Sequence, residues 1–117
     1  ASRIPAFLEE AALPVEKFEP GARISAFGHV GDGNMHYDVL CPPGVDHAAF
    51  IGRWMAGSEI VHDIVARYDG SISAEHGLGR LKTDEARRYK TPLEVATMQA
   101  VRAAIDPLRI MNPAVLF

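Results

Sequence analysis

Gly28-His29-Val30-Gly31-Asp32-Gly33-Asn34-Met35-His36 is the stretch on which the fold turns. A type I′ turn needs positive φ at both central positions, which Asp and Gly tolerate, so Asp32-Gly33 predicts a tight hairpin joining strands over residues 22–30 and 34–41. With those two residues as the loop, His29 falls opposite His36 on one face of the ribbon. Ile24, Ala26, Val30, Met35, Tyr37, Val39 and Cys41 fall on the other, an apolar set suited to a core. Directly opposed residues hold their β-carbons about 4.5–5.5 Å apart. That spacing lets two imidazoles converge on one cation at about 2.0–2.1 Å per bond. Two neutral ligands make a weak site, and Glu75 is the candidate anionic third. The plainer reading is a turn with two polar residues beside it, and a wider loop that takes in Gly31 or Asn34 would shift the register.

Outward from the hairpin, the pattern turns helical on both sides. Ile4, Phe7, Leu8 and Ala11 recur at helical spacing over residues 2–12, with Ser2 placed to cap and Pro14 and Pro20-Gly21 to break. After Pro42-Pro43-Gly44, Asp46 is the expected N-cap of a long helix to about Tyr68 with Phe50, Trp54, Ile60, Val61, Ile64, Val65 and Tyr68 as its apolar stripe. Gly70 suits the C′ position. His47 and His62 on that helix read as surface or half-buried residues. Residues 71–74 read as a brief extended segment leading into Glu75-His76-Gly77-Leu78-Gly79, whose glycines permit close backbone approach and a sharp change of direction.

Residues 83–89 predict a short charged helix. Thr91-Pro92-Leu93-Glu94 then has the form of a capping box with proline at the first helical position. The helix it opens carries Val95, Met98, Val101 and Ile105 toward a core and ends at Asp106-Pro107. The tail beyond, Ile110-Met111-Asn112-Pro113, is unpatterned. Together these elements predict an α+β domain, an antiparallel hairpin with helices packed on one face. A two-stranded ribbon is marginal alone, so another strand or a partner's surface is expected to complete the sheet.

The chain has 117 residues and a net charge of −3, and it lacks the basic patch that nucleic acid or anionic lipid would need. No apolar run is long enough to span a bilayer, and no six-residue glycine fingerprint for a dinucleotide is present. Cys41 is the single cysteine, which excludes an internal disulfide and favours a reducing, cytoplasmic setting. The abrupt helical start after Ala1 suggests a sequence cut from something longer.

Two imidazoles, a carboxylate and open coordination positions could bind a divalent ion and a substrate hydroxyl. An adjacent imidazole such as His76 could then accept the released proton. On its own, Glu75-His76 reads as an exposed polar turn.

Phe27-Gly28-His29-Val30-Gly31-Asp32-Gly33-Asn34-Met35-His36, Ser73-Ala74-Glu75-His76-Gly77-Leu78-Gly79, Asp106-Pro107 and Asn112-Pro113 together resemble, in order and spacing, one known segment. It is the C-terminal segment of FAD-linked oxidases, the family of D-lactate dehydrogenase, glycolate oxidase flavoprotein subunit and D-2-hydroxyglutarate dehydrogenase. The resemblance implies a substrate domain of ferredoxin-like α+β character, of which this chain would supply half. It implies His29, His36 and Glu75 as ligands of a divalent metal, zinc or manganese, and Asn34 and His76 as substrate contacts. His76 would be the base that takes the hydroxyl proton as the C2 hydride passes to FAD. Asn34, Glu75 and Asn112 would be cofactor contacts. The implied partners are a small 2-hydroxy acid and the flavin-binding domain this chain lacks, with a homo-oligomer as a further possibility.

The upstream region that would supply basic residues for the substrate is also lacking. With that domain and that region missing, the chain alone is expected to hold FAD poorly and turn over little. Separately, Ala114 and Val115 stand where the family usually has Gly and Lys, a departure that bears on the flavin contact of the tail. Two other classes remain open on the residues themselves. One is a metal-dependent hydrolase using His29, His36 and Glu75, and the other is a non-catalytic association module built on the open sheet edge.

Overall fold

The computed structural model describes residues 1–115, which divide into one compact unit over Ala1–Ile72 and a second from Ser73 onward. In the first unit the order is α1 (Ile4–Phe18), β1 (Arg23–Phe27), β2 (His36–Leu40) and α2 (His47–Arg67). This is the α+β arrangement expected, and helix–strand–strand–helix is the inner run of a ferredoxin-like pattern. The sheet is an antiparallel pair of strands among the described residues. The core lies where Phe7, Ala11 and Val15 of α1 meet Val61 and Ile64 of α2, with Tyr37 and Val39 of β2 packed against them. Phe7 contacts Tyr37 and Tyr68 edge-on, with ring centroids 5.8 and 6.0 Å apart.

Three local expectations are corrected here. α1 runs through Pro14 to Phe18, because Phe7, Ala11 and Val15 form one buried stripe that outweighs the helix bond a proline removes. Ser2 does not cap it: Arg3 occupies the N-cap with no side-chain bond, and a proline stands in the first turn. At the end of α2, Asp69 rather than Gly70 takes the left-handed conformation, at φ 52°. The Asp69 and Gly70 N–H groups donate to Ala66 and Val65 carbonyls, a Schellman closure in which Gly70 sits one residue later than expected.

The start of α2 is as expected, with the Asp46 carboxylate accepting from the Ala49 N–H at 2.8 Å. Trp54, expected in the apolar stripe, is exposed. Two charged contacts join the helices of this unit. Arg53 donates to the buried Glu19 carboxylate at 2.6 Å. Arg67 reaches Glu10 and, by hydrogen bonding, holds its carboxyl below the usual range. Glu10 in turn accepts from Tyr68 and raises that phenol.

The second unit carries α3 (Thr83–Tyr89) and α4 (Pro92–Ile105). The capping box is complete: Thr91 Oγ1 accepts from the Glu94 N–H at 3.2 Å and Glu94 accepts from the Thr91 N–H at 2.8 Å. Residues 71–74 are irregular rather than a strand. Val101 and Ile105 were expected to face a core but are exposed, and none of α4 is buried.

Candidate functional site

The hairpin connection is wider than a two-residue turn. Phe27, not His29, pairs with His36, and residues 28–35 form the loop. Asp32 is not at positive φ, so no type I′ turn forms. The loop instead satisfies its own backbone. Residues Val30–Asp32 make a 3-10 turn, Gly33 closes it at φ 79°, and the His29 carbonyl accepts from the Asp32 and Asn34 N–H groups at 3.0 and 3.2 Å. Gly28 sits at the base, at φ 146°, where an added Cβ would lie 2.6 Å from the Asn34 carbonyl oxygen. Only glycine fits there without moving the backbone.

The observed register differs from the expected one by two residues, which preserves the facing because side chains alternate with period two. Ile24 and Ala26 still share a face with Tyr37 and Val39. On the opposite face the partner of His36 changes. Its ring stacks on Phe27, with centroids 5.0 Å apart and planes 11° from parallel. His29 is exposed in the loop, and Asn34 is half-buried at its end. The cross-strand facing of His29 and His36 is therefore not realised.

In the second unit, Glu75 and His76 lie side by side in an irregular segment, with His76 Nε2 3.4 Å from Glu75 Oε2. Gly77 and Gly79 both take positive φ, which supplies the change of direction expected. Neither has a neighbour within 4 Å of an added Cβ, so the space beside both backbones is open.

The tail is more ordered than its lack of pattern implied. The Asp106 carboxylate, 6% exposed, accepts from the Ile110 N–H at 3.0 Å and the Met111 N–H at 2.9 Å. Arg102, one turn earlier on α4, donates to the carbonyls of Met111 at 3.1 Å, Asn112 at 3.2 Å and Val115. Arg109, Asn112 and Ala114 all take positive φ, a conformation that costs a non-glycine residue about 1–2 kcal/mol. Such backbone persists where its surroundings over-determine it, and Arg102 and Asp106 do so here. Sequence reasoning read Asp106 as a helix end and as part of a family motif, without a structural role for its carboxylate, and did not single out Arg102. Their one-turn separation at the end of α4 was the available signal.

Among the described residues no three His, Cys, Asp or Glu side chains are grouped so as to hold a metal ion. His29, His36 and Glu75 match a divalent cation in donor type, the two histidines belonging to the first unit and Glu75 to the second. Nor is any described helix long and apolar enough to cross a membrane.

Residues 1–116 match the family model for FAD linked oxidases, C-terminal domain. D-2-hydroxyglutarate dehydrogenase of Stutzerimonas stutzeri (strain A1501) is 42% identical over 98% of this chain, and its counterpart from Xanthomonas citri pv. viticola is 35% identical over 99%. D-lactate dehydrogenase of Anaerostipes hadrus is 32% identical over 81%. The chain spans 25% of the length of the first two and 20% of the third.

Proposed function

The chain belongs to the family of FAD-linked oxidase C-terminal domains, and on that premise we propose that it forms the substrate side of an enzyme oxidising a D-2-hydroxy acid to the 2-oxo acid. The observation that carries this reading is the family match across residues 1–116, a span that includes every motif stretch quoted above. FAD, when bound, supplies the acceptor for the hydride that leaves the substrate's C2.

The chain's own residues would handle the proton and the positioning. We assign the hydroxyl proton to His76. With Nε2 3.4 Å from the Glu75 carboxylate, the ring would keep its own proton on that nitrogen and take up the substrate's at Nδ1. Glu75 orients that ring, a part that needs no metal. Asn34 is assigned to the substrate or cofactor and Asn112 to the cofactor, on the family likeness of their segments.

The finer reading, in which zinc or manganese on His29, His36 and Glu75 holds the substrate, is supported by donor chemistry: two imidazoles and a carboxylate suit a divalent ion. No step above is routed through it. Lactate, glycolate and 2-hydroxyglutarate all remain within the proposed substrate class. A cytoplasmic location is supported by the free thiol of Cys41.

The flavin-binding domain is the partner we assign to the apolar surface of α4 and the tail. There Ile105, Leu108 and Ile110 are 69, 78 and 74% exposed. The relatives' fourfold greater length is where such a domain would come from.

The test is oxidation of D-lactate, glycolate and D-2-hydroxyglutarate by the FAD-loaded protein, with metal content measured on the same sample. Turnover of one of them that falls about 10²–10⁴-fold in His76→Gln supports the assignment. Undiminished turnover in His76→Gln removes His76 from the proton's path. Hydrolysis by the metal-loaded chain without flavin would replace the reading altogether.

A further inference from the structure

We propose that Arg102 and Asp106 are positioning residues that set the backbone of the tail so that Asn112 presents its carboxamide to the flavin. The inference rests on the proposed role of Asn112 and names the device that serves it. Asp106 takes the N–H groups of Ile110 and Met111, and Arg102 takes the carbonyls of Met111, Asn112 and Val115. Both flanks of Asn112 are thereby tied to the last turn of one helix. Asn112 itself stands at φ 42°, a conformation asparagine enters more readily than most residues. Asp106 is 6% exposed while Asn112 is exposed. A buried carboxylate spent on two backbone N–H groups, beneath an exposed amide, is the arrangement of a support and the group it supports.

The guanidinium fork matters because it donates to several carbonyls from one plane, which an ammonium cannot copy. Asp106 must accept at both oxygens, and an asparagine would turn an NH2 toward one of the N–H groups. Arg102→Lys and Asp106→Asn are therefore informative while leaving charge or shape in place.

The experiment combines these variants with Asn112→Gly, which keeps the positive φ and removes the carboxamide, in the FAD-loaded protein. Amide hydrogen exchange of residues 107–115 is read on the same samples. We expect Arg102→Lys and Asp106→Asn each to lower kcat about tenfold with little change in KM. Both should shift the visible flavin band as Asn112→Gly does and speed exchange at Ile110 and Met111. In the Asn112→Gly background neither should lower kcat further. A full additional tenfold loss there, or unchanged exchange at Ile110 and Met111, overturns the positioning role while leaving Asn112 as a flavin contact. Wild-type kcat and flavin band in Asn112→Gly overturn the reading beneath it. The exchange data keep the two failures apart, because they report on the tail without reference to flavin.

Discussion

Single residues decide the hairpin, and Gly28 decides most. Any side chain there meets the Asn34 carbonyl oxygen at 2.6 Å, so Gly28→Ala must shift the base of the loop. We expect a loss of about 1–3 kcal/mol in chemical unfolding, in line with other forced backbone conformations. Tyr37 gives a pH-dependent prediction. Its hydroxyl is buried and has no hydrogen-bond partner among the described residues, and burial pushes the phenol's pKa up. An acid whose folded pKa is raised contributes stability present below its unfolded value, near 10, and lost as pH rises through the folded value. Tyr37→Phe should therefore match or exceed the parent's stability at pH 7 and lose less of it in alkaline melts. Much of this residue scale was legible in the sequence. The facing of Tyr37 and Val39 could be read from alternation alone, because a two-residue slip leaves faces unchanged. The pairing of His36 could not, because it depends on how the loop satisfies its own N–H groups.

Elements were legible where a local signal and the tertiary demand agree. Asp46 and Thr91 cap α2 and α4 as their sequences require, and Thr91→Ala should cost about 1 kcal/mol, read as a lower thermal midpoint. Where the two conflict, the tertiary demand prevails. Pro14 looked like a helix end, but burial of Phe7, Ala11 and Val15 carries α1 through it. The proline leaves the Glu10 carbonyl without its helix donor, so Pro14→Ala should stabilise the chain by about 1–3 kcal/mol in denaturant titration. An unchanged midpoint would mean that the helix has already adjusted around the ring. α4 fails in the opposite sense. Its stripe of Val95, Met98, Val101 and Ile105 has helical spacing, yet periodicity reports only that a helix has an apolar face. It is silent on what covers that face.

For the whole molecule, the candidate site was legible as motifs and not as a constellation. Glu75 and His76 are adjacent in sequence and in space, and Asn112 is held by groups within its own unit. The metal set, by contrast, draws His29 and His36 from one unit and Glu75 from the other, and linear spacing carries no information on pairs so far apart in the chain. The exposed apolar side chains of α4 and the tail predict that the chain alone self-associates with rising concentration in size-exclusion chromatography. Leu108→Ser/Ile110→Ser should reduce that association, and a parent that stays monomeric throughout would argue against an uncovered docking surface. The central claim is that this segment serves flavin-dependent oxidation of a hydroxy acid with His76 as proton acceptor. Its most direct test is anaerobic single-turnover mixing of the FAD-loaded protein with D-2-hydroxyglutarate or D-lactate, following the flavin band. The account predicts bleaching of the band, slowed about 10²-fold or more in His76→Gln. A band that stays fully oxidised with every 2-hydroxy acid, or bleaches equally fast without His76, would contradict it.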